Sequence, residues 1–190
     1  EWDFLAKQFE EAYAMKDHLT HVSPRVQNRN LPYTPVAPSD TMQNEPDTDF
    51  DLSQNQEWVR RIFAKWKKSG TEEPEIIPLQ IGAETVVCKN RYKYLDRCQN
   101  DEVCICEMSQ ADSAQVEKII EIAETDPAGW RKTTLEERHR IMYEAANRLA
   151  DMRGDLIGCM CAVTGKTVIE GDVEVSEAVD YARFYTTAMK

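Results

Sequence analysis

Gly165-Lys166-Thr167 are the three residues that close a phosphate-binding loop, where backbone N–H groups cradle a phosphate and a lysine reaches it. That chemistry needs a glycine five residues before Gly165, a strand ahead of the loop and a helix behind it. Met160 stands where the glycine is required. The residues before Gly165 carry a helical pattern, and Val168-Ile169 run into an acidic break that contains Gly171. The stretch reads instead as a helix C-terminus, with Gly165 as the left-handed residue past the end and Lys166 beside the negative end of the helix dipole. The thiols are the next candidates. Cys104/Cys106 and Cys159/Cys161 are C-x-C pairs, without the C-x₂-C spacing of a zinc knuckle. They read as small, semi-apolar residues of a strand and a helix. His18 and His21 could share a helical face, but no third ligand stands nearby, so they read as surface histidines. The last candidate is Glu177, which shares a face with Tyr181 and Phe184 at i, i+4 and i+7. A carboxylate beside aromatic rings is either partly desolvated and functional, or solvated next to core-edge rings. The residues alone leave both readings open.

Three stretches position these groups. Residues 1–73 read as helix, loop and helix. Leu5, Phe9, Ala12 and Tyr13 make one helical stripe. Pro24, Pro32, Pro35 and Pro38 exclude regular structure through Ser39. Ser53 with Gln56 predicts a capping box, Trp58, Ile62, Phe63 and Trp66 an apolar stripe, and Gly70 the end of that helix. Residues 74–108 read as two or three short antiparallel strands, which need covering to be stable. Residues 109–190 read as helices. Asp112 with Gln115 and Thr134 with Glu137 predict capping boxes. Behind the second, Met142, Ala145, Ala146 and Leu149 form a stripe. Asp172 is predicted to cap a last helix with a core stripe of Val175, Ala178, Val179, Ala182 and Tyr185. Glu174, Asp180 and Arg183 read as surface charges in i, i+3 pairs, worth roughly a few tenths of a kcal/mol each. The fold class predicted is α+β, mostly helical, with a small antiparallel β element and some apolar faces left uncovered.

The formal net charge is −11, which repels phosphate backbones and argues against nucleic acid as a partner. No apolar run approaches the roughly 20 residues that cross a bilayer. The first residues, Glu1-Trp2-Asp3, have none of the basic and apolar character of a signal peptide, and no initiator methionine stands first. The expectation is a cytoplasmic protein with reduced thiols, and a chain that starts inside a longer reading frame.

The pattern from Trp130 onward resembles the N-terminal part of an aldehyde dehydrogenase. Trp130, the Glu137-Arg138 helix, Leu149, Arg153, Leu156 and the Thr164-Gly165-Lys166 turn stand in the family's order. They are followed by Glu174, Val175, Glu177, Ala178, Asp180, Tyr181, Arg183 and Tyr185, the family's E-V-x-E-A-x-D-[FY]-x-R-x-Y helix. "DFLAKQFEEAYAMKDHLTHVSP" resembles the tail of a proline dehydrogenase domain. "NEPDTDFDLSQNQEWVRRI" resembles the segment that leads into a pyrroline-5-carboxylate dehydrogenase. The bifunctional proline utilisation A proteins and their close relatives carry these in this order. "DRCQNDEVCIC" has no such counterpart.

The resemblance implies a parent enzyme that oxidises glutamate γ-semialdehyde, the open form of pyrroline-5-carboxylate, to glutamate with NAD. A cysteine thiolate forms the thiohemiacetal, and a glutamate activates the water that releases the acid. It also implies that the cofactor domain, the nucleophile and the general base lie further along the parent chain. The 190 residues alone are then expected to be inactive, with no cofactor bound, no catalytic residue, no metal, and the remainder of the parent enzyme as their partner in a homo-oligomer. The resemblance places Glu177 near the aldehyde pocket as a substrate-binding residue. Two other readings stand beside it. One is a non-catalytic interaction or oligomerisation module descended from the family, using the proline-rich arm of residues 22–49 and exposed strand edges. The other is a small metal or redox protein built on the cysteines.

Overall fold

The computed structural model describes residues 1–18, 22, 24–67, 73–99 and 103–189. His21 and Gly70 lie outside the described residues. Helix α1 (Trp2–Ala14) is followed by a 3₁₀ turn, Lys16–His18, and an extended arm leads to α2 (Ser53–Trp66). Strands β1 (Glu75–Ile77), β2 (Leu79–Ile81), β3 (Glu84–Val86), β4 (Arg91–Leu95) and β5 (Cys104–Ser109) come next. Helices α3 (Ser113–Thr125), α4 (Leu135–Asp151), α5 (Arg153–Thr164) and α6 (Val168–Ala188) complete the chain.

Three helix starts carry reciprocal capping boxes, in which a side-chain oxygen and a Glu or Gln three residues on satisfy each other's backbone donors. Asp112 with Gln115 opens α3 and Thr134 with Glu137 opens α4, as predicted. The third is Thr167 with Glu170, which starts α6 earlier than the sequence suggested. Asp172 is therefore not a cap. It lies inside the helix and is 1% exposed. The Ser53–Gln56 box does not form either. Leu52 is the cap residue, and Gln56 Nε2 donates to the Phe50 carbonyl at 3.0 Å.

The strands form two sheets rather than one antiparallel element. β2 and β3 make a separate antiparallel hairpin turned at Gly82, φ +59°, a left-handed conformation suited to glycine. β5 lies between β4, antiparallel, and β1, parallel, in the order β1-β5-β4. Short β-prone runs reveal strands but not their partners. Here the hairpin is set aside, so β1 and β4 reach opposite edges of β5.

The core is helical. Ala146 and Ala150 of α4, Ile157 and Cys161 of α5, and Val175, Val179 and Ala182 of α6 form one buried cluster. On α4 the buried face is His139, Tyr143, Ala146 and Ala150, so the predicted stripe is rotated by one residue and Met142 and Leu149 flank it. Tyr185 is 61% exposed and is not core. Helix α2 packs on α5 through a close approach. A Cβ on Gly158 would sit 2.1 Å from Trp66 Cδ1, so the indole lies against a backbone that only glycine leaves clear. By contrast α1 and α3 bury no residue, and Trp2, Phe9 and Ile120 of their apolar faces are exposed.

The arm is tied to this core. Tyr33 donates from its hydroxyl to Asn147 Oδ1 at 3.0 Å, and Asn147 Nδ2 donates to the Val36 carbonyl at 2.9 Å. The Tyr143 hydroxyl donates to the Ser39 carbonyl at 3.1 Å. Glu45 enters the interior, where Arg153 Nη2 lies 3.3 Å from Oε1 and Arg183 Nη1 lies 3.1 Å from Oε2. Arg153 Nη1 also donates to Asp172 Oδ1 at 2.8 Å, and its Nη2 to Ser176 Oγ at 3.0 Å. Thr48 donates to the same Asp172 from its backbone at 2.6 Å and from its hydroxyl at 2.5 Å. Breaking a buried pair strands its partner's charge at a cost of about 3–5 kcal/mol. Arg153→Met is therefore expected to lower stability by about that much in urea denaturation, and a loss under about 1 kcal/mol would show that the network does not hold the arm.

Candidate functional site

Helix α6 sets the candidate site because it is wedged between core and arm. Its buried face carries Val175, Val179 and Ala182. Interleaved on that face are Asp172 and Arg183, which bond Thr48 and Glu45 of the arm, and Ser176, which accepts from Arg153. Glu177, Tyr181 and Phe184 lie together on another face, as their spacing predicted. With Met42, Asn44 and Asp180 they line an open depression of about 410 Å³. The arm is its second wall. Asp180 holds that wall, because its carboxylate accepts from Asn44 Nδ2 at 2.6 Å and from the Glu45 backbone N–H at 2.7 Å.

These contacts correct the reading of the helix charges. Asp180 is the tether of the arm, and Arg183 is 3% exposed, between Glu45 and the Tyr33 hydroxyl. Burial pushes the Tyr33 phenol above its ordinary range, with the Glu45 charge adding to it. Only Glu174 behaves as a surface charge, paired with Lys166. Glu177 itself is exposed, and its carboxylate makes no hydrogen bond or ion pair with the described residues. Within this chain it is a solvated acid beside aromatic rings. Tyr181 stacks on Tyr185 with centroids 6.0 Å apart, and Phe184 meets Tyr185 edge-on at 5.5 Å.

The other candidates sort as follows. Gly165 ends α5 with φ +75°. The N-terminus of α6 behind it is filled by the chain's own Glu170, whose carboxylate accepts from the Thr167 backbone N–H at 2.8 Å and is held below its usual range by that bond. No phosphate site remains there. The six cysteines are free thiols. Burial pushes Cys106, Cys159 and Cys161 up, away from the thiolate a nucleophile needs. Among the described residues no three of His, Cys, Asp and Glu gather as a metal would require. His18 is an exposed residue of the 3₁₀ turn. What the sequence reading missed is the Glu45–Arg153–Asp172–Arg183 network. The available signal was the placement of Asp172, Ser176 and Arg183 among the apolar positions of α6, where a solvated charge does not belong.

Residues 88–190, more than half of the chain, match the aldehyde dehydrogenase family. The chain belongs to the aldehyde dehydrogenase family. Two aldehyde dehydrogenases similar to it are the 1-pyrroline-5-carboxylate dehydrogenases of Geobacillus sp. (strain WCH70), 29% identical over 147 residues, and of Bacillus pumilus (strain SAFR-032), 26% identical over 147 residues. Each alignment covers 77% of this chain, which spans 28% of the length of either relative. Among solved structures, proline utilization A from Bdellovibrio bacteriovorus inactivated by N-propargylglycine superimposes with a TM-score of 0.72 at 22% identity, over 92% of this chain and 17% of that one. The 1-pyrroline-5-carboxylate dehydrogenase from Thermus with bound NAD superimposes with a TM-score of 0.70 at 24% identity, over 78% of this chain and 28% of that one. The α+β fold is thus that of an aldehyde dehydrogenase segment. No helix among the described residues is long and apolar enough to cross a membrane.

If Asp180 is the tether of the arm wall, Asp180→Asn replaces one acceptor by a donor facing Asn44 and the Glu45 N–H. Amide hydrogen exchange at residues 42–45 should then accelerate on the order of tenfold or more, the equivalent of about 1–3 kcal/mol for an unmet buried donor. Exchange along the α6 core face should stay slow. Unchanged exchange at 42–45 would remove Asp180 from that role.

Proposed function

We propose that the protein carrying this chain oxidises glutamate γ-semialdehyde to glutamate with NAD, and that Glu177 binds the substrate. The observation that carries this reading is the depression in which Glu177 stands beside Tyr181 and Phe184, on the helix that matches the family pattern. The names of the relatives support the choice of aldehyde. A carboxylate flanked by aromatic faces suits the α-ammonium group of an amino-acid aldehyde, through a charge-assisted hydrogen bond and cation–π attraction. In this reading the residues for such a cation are here, and those for the chemistry lie elsewhere in the parent enzyme. The seven glycines include no G-x-G-x-x-G spacing, so these residues offer NAD no phosphate loop of that type. None of the buried thiols is activated. The chain's part is therefore to wall and orient the aldehyde, and the 190 residues alone are expected to be inactive.

The same reading takes the three stretches 1–73, 74–108 and 109–190 as a linker with its arm, a strand element and the helical start of the dehydrogenase domain. They are not independent packing units, since Trp66 of α2 rests on α5. The remainder of the parent enzyme, in a cytoplasmic homo-oligomer, would cover the exposed rings of α1. A second reading, a non-catalytic interaction module, is favoured by one observation. Tyr181, Phe184 and Tyr185 are 56%, 47% and 61% exposed on one end of α6. A face of exposed rings is a docking surface as readily as a substrate wall.

The test uses the native-length protein. NADH production from the semialdehyde is expected, and Glu177→Ala should lower kcat/KM roughly tenfold or more, about 1.4 kcal/mol of lost binding. Glu177→Gln should recover part of that loss if the carboxylate acts by hydrogen bonding. Unchanged kinetics in Glu177→Ala would remove Glu177 from the site. Absence of NADH production by the unaltered protein would leave the interaction module as the surviving reading.

A further inference from the structure

The sequence left "DRCQNDEVCIC" without a role, and the structure gives its first cysteine a partner. Asp96 builds the turn that carries Cys98. It is 2% exposed, and its carboxylate accepts from the Cys98 backbone N–H at 2.8 Å and from Gln99 Nε2 at 2.7 Å. Its own N–H donates to the Val103 carbonyl at 2.8 Å. The turn is then pinned to the end of α5, where the Arg97 N–H donates to the Ala162 carbonyl at 2.8 Å. One residue on, Cys98 Sγ lies 3.4 Å from the carbonyl oxygen of Cys161. Both cysteines line one cavity of about 240 Å³, floored by Phe63 and Trp66. Cys98 is exposed, and Cys161 is 5% exposed. The pair thus has an accessible member and a sheltered one, with the thiol of the first resting on the backbone of the second.

We propose that Cys98 and Cys161 are a thiol–disulfide pair, in which Cys98 reacts with a low-molecular-weight disulfide and Cys161 resolves the adduct into an internal bridge. In the first step the Cys98 sulfur attacks the small disulfide. Its S–S bond breaks, and the departing thiolate takes up the proton that Cys98 released. In the second step the Cys161 sulfur attacks the Cys98 sulfur of the adduct. That S–S bond breaks, and the second small thiol leaves with the proton of Cys161. Two protein thiols and one small disulfide become one protein disulfide and two small thiols, with electrons balanced. Access decides the order, because a bulky disulfide reaches Cys98 and not Cys161. Burial and the nearby Cys98 hold Cys161 as a thiol, so its attack on the adduct is the slower of the two steps. The bridge would fasten the turn after β4 to α5, across the cavity where α2 also rests. This inference is independent of the proposed dehydrogenase activity.

The experiment incubates the native-length protein with glutathione disulfide, blocks residual thiols and maps the peptides without reduction. A peptide joining Cys98 to Cys161 is expected in most chains, and Cys98→Ser should leave Cys161 reduced. Cys161→Ala should leave one glutathione on Cys98, at the exposed position. The proposal is overturned by a glutathione that persists on Cys98 of the unaltered protein, by a bridge that uses Cys104, Cys106 or Cys159 instead, or by no reaction at Cys98. The map of the unaltered protein decides among these even if Cys161→Ala fails to fold.

Discussion

One buried carboxylate holds the molecule together. Glu45 offers one oxygen to Arg153 and the other to Arg183, and these partners lie 108 and 138 residues away along the chain. Each of these charges loses roughly several kcal/mol of hydration on burial. The arrangement persists because the carboxylate oxygens of Glu45 and Asp172 and the Nη groups of both arginines are met, with Ser176, Thr48 and Tyr33 completing the shell, while Arg153 Nε and Arg183 Nε stay buried without a partner among the described residues. The consequence is positional. An arm with four prolines between residues 24 and 38 cannot join a sheet or helix, so its place on α6 depends on polar anchors rather than on a backbone ladder. The depression at Glu177 exists only because the arm is held there, and the site's geometry inherits the network's stability.

Much of the helical region was readable because local chemistry and final structure agree there. Thr134 with Glu137 and Asp112 with Gln115 satisfy each other within one turn, so no distant partner was needed to see them. Gly165 declared itself by following an apolar helical run. Asp172 misled for an instructive reason. An aspartate near a helix start is usually a cap, but here Thr167 took that role and freed Asp172 to pair with Arg153 in the interior. The antiparallel reading of the strand zone failed at β1. A run of three residues states its β-character but not its neighbour, and the parallel pairing with β5 arises from the hairpin and β4 that lie between.

The candidate site divides in the same way. The shared face of Glu177, Tyr181 and Phe184 followed from helical spacing alone. Its opposite wall did not, because Met42 and Asn44 come from a segment without periodicity. Nor did the role of Asp180, whose partners are backbone and amide groups of that segment. The reading of Arg183 as a surface charge rested on its spacing from Asp180. It failed because the arginine follows the helix's inner face.

The contact between Trp66 and Gly158 sets an order on how this sequence can change. The indole occupies the volume a side chain at position 158 would need, so the two positions are not free to vary separately. A smaller residue at 66 leaves a gap that a side chain at 158 can then fill, whereas the reverse order passes through a clash. Related chains are therefore expected to hold either a large ring facing glycine or a smaller residue facing a side chain, and rarely an intermediate. That dependence couples the segment before the strands to the helix after them by packing.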